Sequence, residues 1–212
     1  MKQLSATALL PDGPIPIVRL PGVPEPGAGH AALFAAARQV AAGRVFIAGP
    51  GATTSALWAA RAGAAVTCWT ENAAEGQSLI ASFARNRLPP AQCFIQADFT
   101  GLQPATCDAA FLHLPRGREV QEEALRLAAA MLRPGGRLVF VGATHEGVKS
   151  ALQQARTLFE QAGIVVRKGG FHAGLAQRPD GHFPLPGVQR TDRAVVVEGV
   201  PTQLVGYTGA FA

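Results

Sequence analysis

Short runs of continuous apolar residues alternate along this chain with longer segments whose apolar residues recur at helical spacing. Continuous apolar strands separated by helices imply βαβ units, so the pattern predicts an α/β fold with a doubly wound, mostly parallel sheet covered on both faces. The predicted strands are 44–48, 65–70, 92–97, 107–112, 136–142 and 164–168, and the predicted helices are 29–42, 54–62, 72–87, 117–132 and 146–162.

The two ends of the chain depart from this pattern. Residues 1–28 carry many prolines and glycines, which break regular structure and predict an N-terminal arm that is extended or forms short edge strands. The main domain is assigned to 29–200. After about residue 170 the pattern loosens into an edge strand, a loop, one more strand over 193–200, and a tail or linker over 201–212.

Composition narrows the class of protein. The 212 residues are 48% hydrophobic and 16% charged, which is typical of a folded globular chain. No apolar run approaches the roughly 18 residues of a membrane span, and the first twenty residues lack the order of a secretory signal. We therefore expect no membrane association and a cytoplasmic protein.

The charge and the cysteines give weaker indications. The net charge of +5 comes mostly from arginine, which suits a nucleic-acid partner. Biased codon usage, which gives chains rich in Ala, Arg and Gly, explains this charge equally well. Cys68, Cys93 and Cys107 are scattered without the spacing of metal ligands, so we expect neither a metal site nor a disulfide framework.

The turn after the first of these buried strands, "VFIAGPGATTS" from Val45 to Ser55, is the first candidate site. In an open parallel sheet, ligands bind at the carboxyl ends of strands, near the point where the strand order reverses. Gly49 and Gly51 permit positive φ and a close ligand, and Thr53 stands at the start of a helix whose N-terminus favours negative charge. The same glycines also serve plain strand-to-helix packing, and Pro50 removes one N–H donor.

The ends of the next two strands supply further candidates. Glu71 can accept hydrogen bonds from ribose hydroxyls, or it can simply favour the N-terminus of the following helix. Asp98 can reach an adenine amino group while Phe99 packs beside the ring. Asp98 serves equally well as the cap of a turn.

Three motifs together resemble a known family. They are Leu114-Pro115-Arg116, the Pro134-Gly135-Gly136 turn before the strand "LVFVG" at 138–142, and Gly147-Val148-Lys149-Ser150 at a helix start. The chain resembles class I S-adenosylmethionine-dependent methyltransferases, and more closely the small-subunit ribosomal RNA guanine-N2 methyltransferase C family, over roughly 30–178. This resemblance implies a Rossmann-like sheet of the class I methyltransferase type and S-adenosylmethionine as cofactor. The candidate cofactor-binding residues are then Gly49, Gly51, Thr53, Glu71, Asp98 and Phe99.

The chain departs from the family at its reactive positions. Ile47 stands where an acid ends the first strand in active members, and Thr53 replaces the third glycine of the loop. The catalytic Asn-Pro-Pro-Phe, which receives the exocyclic amine in such enzymes, is matched by "HLPR" from His113 to Arg116, so His113 and Pro115 are the candidates in a degenerate motif. The chain therefore resembles the degenerate N-terminal half of these two-half enzymes, and 203–212 resembles the linker that opens their catalytic half.

Three functions remain open at this point. The first is a methyltransferase, the second is a non-catalytic domain that binds ribosomal RNA and supports a catalytic methyltransferase half, and the third is an NAD(P)-dependent oxidoreductase. His113 is either a catalytic base or a buried structural histidine. The candidate phosphate-binding residues, which act together only if they fall on one face, are Arg116, Arg118, Arg133, Arg137, Lys149, Arg167 and Lys168.

Overall fold

The computed structural model describes residues 4–38, 40, 43–95 and 99–187, together with the backbone of 190–197 and 200–207. The strands are β1 Leu4–Leu10, β2 Gly13–Arg19, β3 Arg44–Ala48, β4 Ala65–Thr70, β5 Gln92–Ile95, β6 Cys107–His113, β7 Leu132–Ala143, β8 Glu160–Lys168, β9 Phe171–Gln177, β10 Arg190–Val197 and β11 Val200–Tyr207. The helices are α1 Ala28–Ala37, α2 Ala52–Arg61, α3 Ala73–Arg85, α4 Arg118–Met131 and α5 Val148–Leu158, with a short 3-10 helix at Thr144–Glu146.

A seven-stranded sheet forms the centre of the molecule, in the order β5-β4-β3-β6-β7-β9-β8. The pairs from β5 to β7 are parallel, whereas β9 runs antiparallel to both β7 and β8. The prediction of an α/β fold with a doubly wound, mostly parallel sheet is therefore confirmed. From β3 the chain runs outward through β4 to β5 and then crosses back to β6 on the other side of β3, so the strand order reverses between β3 and β6.

Two apolar clusters bury the faces of this sheet. One cluster joins α1, α2 and α3 to the sheet and to the β1–β2 hairpin, and the other joins α4 and α5 to the opposite face. The central strands are apolar along their whole length because both of their faces are covered, as in β3, whose last four residues are all buried. No described helix has the length and apolar character needed to cross a membrane.

The N-terminal segment forms an antiparallel hairpin. It was predicted to be either extended or folded into short strands, and it contains the short strands. The second strand, β2, lies along α3. The Ser82 hydroxyl accepts from the Val18 N–H at 2.9 Å and donates to the Val18 carbonyl at 3.2 Å, and Ser78 accepts from the Leu20 N–H. Helix side chains thus complete the hydrogen bonding of this strand.

Several predicted boundaries differ from the structure. The strand predicted over 136–142 begins at Leu132, which pairs with Cys107 of β6, and the helix predicted over 29–42 ends at Ala37. The helix expected over 146–162 spans Val148–Leu158, and β8 already begins at Glu160 instead of residue 164. The single strand expected over 193–200 is a hairpin of β10 and β11, and β11 takes up most of the segment predicted as a tail. The remainder of that tail, 208–212, lies outside the described residues.

Candidate functional site

A cavity of about 610 Å³ opens at the carboxyl edge of the sheet, beside the point where the strand order reverses. Its walls come from the segment before α1, from the turns after β3, β4 and β6, and from the end of β7. This is the place where open α/β sheets bind their ligands, and the volume lies in the range of small-molecule sites. The cavity therefore lies at the strand-end turns that contain the candidate residues predicted from the sequence.

The two glycines of the first turn have a structural reason to be there. Gly49 has φ +97°, and a Cβ at this residue would lie 1.9 Å from the His113 carbonyl oxygen. Gly51 is the N-cap of α2 and has φ +82°. It packs against the His30 ring, which a Cβ would meet at 3.1 Å. Gly49 and Pro50 line the cavity. Close packing alone thus requires both glycines, with or without a ligand.

Thr53 contacts an acid of the neighbouring helix. Its backbone N–H and its hydroxyl both donate to Glu75 Oε1, at 2.9 and 2.8 Å. Asn72 caps α3 by accepting from the N–H groups of Ala74 and Glu75, which fixes the first turn of that helix. Glu75 lines the cavity although it is only 2% exposed, and within the described chain its Oε2 has no hydrogen-bond partner. A protein carboxylate therefore already lies at the N-terminus of α2.

His113 lies at the centre of a buried polar cluster. Its Nε2 shares a hydrogen bond of 2.8 Å with Ser55 Oγ, and its ring lies 4.7 Å from that of His30, measured between centroids. The pKa of His113 lies well below that of an ordinary histidine. Burial is the larger cause, and the charge interaction with His30 is the smaller one. No local sequence pattern indicates these neighbours, since His30 and Ser55 are 83 and 58 residues away.

His30 itself has a defined tautomer. Its Nδ1 accepts from the Gly27 N–H at 3.2 Å, so Nε2 carries the proton and donates to the Gly51 carbonyl at 2.9 Å. Burial lowers the pKa of His30, and the Gly51 bond opposes this in part. Both histidines are thus neutral at pH 7, and His30 fastens the segment before α1 to the first turn.

Two acids and two aromatic rings line the same cavity as the histidines. Partial burial raises the pKa of Glu71, and burial together with the charge of Glu71 raises the pKa of Glu123 on α4. The Trp69 and Phe99 rings lie 5.1 Å apart between centroids and line the same cavity. The cavity thus presents two aromatic rings, tilted by 52° to one another, together with hydrogen-bond acceptors.

The turn after β6 is held in place by its own contacts. The Leu114 N–H donates to the Val141 carbonyl at 2.8 Å, and Gln121 Nε2 donates to the carbonyls of Pro115 and Glu146 at 2.9 Å each. Arg116 Nε donates to Glu146 Oε1 at 2.7 Å. The "HLPR" segment is therefore a fixed loop whose one cation is already paired.

The structure brings together part of the predicted site. The candidates that line the cavity are Gly49, Glu71, Phe99, His113, Pro115 and Arg116. Those that do not line it are Gly51, Thr53, Arg118, Arg133, Arg137, Lys149, Arg167 and Lys168, while Asp98 lies outside the described residues. Among the cavity residues that the sequence did not indicate are His30, Glu75 and Glu123. Across the described ranges, no group of three or more His, Cys, Asp or Glu side chains is placed to hold a metal ion.

Four of the exposed candidate cations share one edge of the molecule, whereas Arg133 and Arg137 lie near the start of β7, at the opposite edge. Arg118 begins α4 after β6, and Lys149 lies in the first turn of α5 after β7. Arg167 and Lys168 end β8, which pairs antiparallel with β9 as β7 does and so runs parallel to β7. All four therefore lie toward the carboxyl edge where the cavity opens.

The strand order, with β9 antiparallel beside five parallel strands, and the cavity at the reversal point define a class I S-adenosylmethionine-dependent methyltransferase fold. Residues 33–165 match the family described as methyltransferase small domain N-terminal, and the chain belongs to that family. None of the curated proteins compared with the chain matches it.

Solved structures with the same fold are known. The 16S rRNA N2 G1207 methyltransferase RsmC of T. thermophilus, in complex with AdoMet and guanosine, has a TM-score of 0.73 and 22% identity over 96% of this chain and 52% of that one. The ribosomal protein L11 methylase of Lactobacillus delbrueckii subsp. bulgaricus has a TM-score of 0.64 and 16% identity over 76% and 83%. TrmN of Thermus thermophilus gives 0.54 and 19% over 70% and 47%. The chain thus spans about half the length of the first of these enzymes.

Proposed function

We propose that this chain is an S-adenosylmethionine-binding domain of the ribosomal RNA guanine-N2 methyltransferase type that does not itself transfer the methyl group efficiently. One observation carries the proposal: the cavity at the strand reversal keeps an acid and an aromatic wall, whereas His113 stands where the family places its amine-binding residue. The similarity to RsmC of T. thermophilus, over about half of that enzyme, supports the same assignment. The domain would then act beside a catalytic half.

The residues of the cavity suit the proposed cofactor. Trp69 and Phe99 both line the cavity, and aromatic rings pack well against a flat base. Glu71 at the end of β4 can accept hydrogen bonds from ribose hydroxyls. When bound, S-adenosylmethionine supplies an electrophilic methyl group.

The same residues explain why transfer would be inefficient. Alignment of an amine nucleophile needs a fixed acceptor in reach, and much of the acceleration comes from such positioning. His113 Nε2 is already bonded to buried Ser55, and the pKa of His113 is held well below its ordinary range by burial. A single proline, Pro115, remains of the motif. The chain alone would therefore bind the cofactor without presenting the amine to it.

Isothermal titration tests the binding part of this proposal. Purified protein, shown to be folded by circular dichroism, is titrated with S-adenosylmethionine and separately with NADH. We expect micromolar binding of the first and none of the second, and at least about tenfold weaker binding in Glu71→Ala, in line with the loss of one or two hydrogen bonds. No heat with S-adenosylmethionine would contradict the proposal.

A transfer assay tests the catalytic part. Ribosomal RNA and radiolabelled S-adenosylmethionine are incubated with the protein, and methyl incorporation is measured over several hours. We expect no incorporation above background, and turnover at ordinary enzyme rates would show that the "HLPR" segment supports catalysis.

RNA binding is a second candidate function. It is favoured by the shared position of four cations at the carboxyl edge, namely Arg118, Lys149, Arg167 and Lys168. Lys and Arg that neutralise phosphates release counterions, so affinity falls steeply with salt. We expect binding to ribosomal RNA fragments that weakens with salt and is reduced in the Arg167→Glu, Lys168→Glu double variant, with Arg85→Glu at the end of α3 as a control. Equal losses in the two variants would count against this edge.

The oxidoreductase alternative is disfavoured by Glu75. A dinucleotide places its pyrophosphate at the N-terminus of the first helix. In this chain the Thr53 N–H and hydroxyl there already bind the Glu75 carboxylate, so a phosphate would meet a negative charge. This is the reason for expecting no heat with NADH.

A further inference from the structure

The charges around the cavity are unevenly neutralised. Glu25 pairs with Arg19 at 2.8 Å, and Glu146 accepts from Arg116. The three remaining acids form no ion pair within the described part of the chain. They are Glu71, Glu75 and Glu123.

Glu75 is the most constrained of these three acids. Oε1 accepts two hydrogen bonds from Thr53, while Oε2 is buried and has no partner among the described residues. A buried carboxylate oxygen without a donor is costly, because desolvation removes its water without replacement. A positive charge or a proton donor from a ligand would lower that cost.

Glu71 and Glu123 favour the same kind of ligand. They belong to different elements, the turn after β4 and helix α4, and both line the cavity. The charge of Glu71 raises the pKa of Glu123, which means that the two carboxylates repel each other. A cation bound near them would turn this repulsion into attraction.

We infer that Glu71, Glu75 and Glu123 make this cavity selective for the charge of its ligand, so that it binds the sulfonium cofactor more tightly than the demethylated product. S-Adenosylmethionine carries one positive charge more than S-adenosylhomocysteine, and the two differ otherwise by one methyl group. The inference rests on the proposed function, since it assumes that this cavity takes the cofactor. It assigns Glu75, an acid of the helix after β4, as a specificity residue.

Coulomb's law sets the size of the effect. A unit charge several ångströms from a carboxylate, at the intermediate dielectric of a partly open site, changes an equilibrium constant by about an order of magnitude. We therefore expect the sulfonium ligand to bind at least about tenfold more tightly, equivalent to about 1.4 kcal/mol. Most methyl-sized contacts alone contribute less than this.

Titration calorimetry with matched ligands tests the inference on the full chain. The protein is titrated with S-adenosylmethionine, with S-adenosylhomocysteine, and with sinefungin, in which a carbon bearing a protonated amine replaces the methylated sulfur. We expect both cationic ligands to bind at least about tenfold more tightly than S-adenosylhomocysteine. Equal or tighter binding of the neutral product would overturn the inference and leave cofactor binding intact, whereas no binding of any ligand would overturn both.

Charge-removing variants locate the effect. Glu75→Gln keeps an amide oxygen for the two Thr53 donors while removing the charge, and Glu123→Gln provides the same test at a half-buried residue without such bonds. Glu119→Gln, an exposed acid on the same helix α4 outside the cavity, is the control. We expect the preference for cationic ligands to fall about threefold or more in the first two variants and to stay unchanged in the control. An unchanged preference in both Glu75→Gln and Glu123→Gln would refute the assignment.

Discussion

Replacing Gly49 by alanine tests whether the first turn is required by packing. The new Cβ would lie 1.9 Å from the His113 carbonyl oxygen and 2.8 Å from its carbon, both of them backbone atoms at the end of β6. Flexible side chains can move aside at little cost, but here one of two adjacent parallel strands must shift. The residue also has φ +97°, a conformation that L side chains rarely adopt.

The magnitude follows from two separable terms. Positive φ costs a non-glycine residue about 1–2 kcal/mol. Forcing an extra methyl group into a packed region costs about 1–3 kcal/mol more when the neighbour cannot yield easily. We therefore expect Gly49→Ala to lower the free energy of unfolding by about 2–5 kcal/mol, a large share of the stability of an ordinary domain.

Gly63→Ala is the matched control. Gly63 follows the C-cap of α2 with φ +86°, and a Cβ there would meet nothing within 4 Å, so only the conformational term applies. Both variants are unfolded in urea and followed by far-ultraviolet circular dichroism. We expect Gly49→Ala to lose at least about 1 kcal/mol more than Gly63→Ala. Equal losses would show that the contact with His113 does not limit this position.

Three further predictions concern pH and hydrogen bonding. Burial holds the pKa of His113 below the ordinary value of about 6.5, so the unfolded chain takes up the proton first. Stability should therefore fall as the pH drops below about 6.5, and less steeply in His113→Gln; parallel melting curves from pH 7.5 to 5 would contradict this. Asp108 accepts from the Gly43 and Arg44 N–H groups, and its pKa is lowered first by the Arg44 bond. Asp108→Ala should cost about 1 kcal/mol at pH 7 by urea titration, and the difference should shrink as the pH falls below about 3.9, whereas a constant difference would argue against an ionised acceptor. Ser82→Ala leaves the buried Val18 N–H without its acceptor and should cost about 1–3 kcal/mol in the same assay, and a loss below about 0.5 kcal/mol would contradict it.

The sequence predicted the layers of this fold because periodicity reports burial directly. Strand β3 is buried on both faces and is continuously apolar, so its position was clear. The end of α5 was placed too late, since the "EQAG" residues at 160–163 are helix-compatible and only pairing with β9 makes them a strand. Elements are therefore predictable where burial is local, and their ends depend on tertiary contacts.

The candidate site was predictable only in part, for a related reason. Gly49, Glu71 and His113 immediately follow or end strands, and parallel strand ends meet at one edge, so their approach to one cavity could be expected. Glu75 looks in the sequence like an ordinary first-turn acid of a helix. Its reach to Thr53, 22 residues earlier, depends on how α3 packs beside α2, which no local pattern records.

The pairing of β2 with helix α3 has a consequence for how copies of this chain meet. The Val18 N–H faces away from β1 toward Ser82, and by alternation along the strand the nitrogens of Pro14 and Pro16 face the same way and carry no hydrogen. An exposed strand edge with free donors is a template for another strand, and proline is a common means of blocking it. Two of the prolines that looked like simple breakers of structure therefore leave this border without N–H donors at their positions, and side chains of α3 take up its other hydrogen bonds, so β2 offers little template for strand addition.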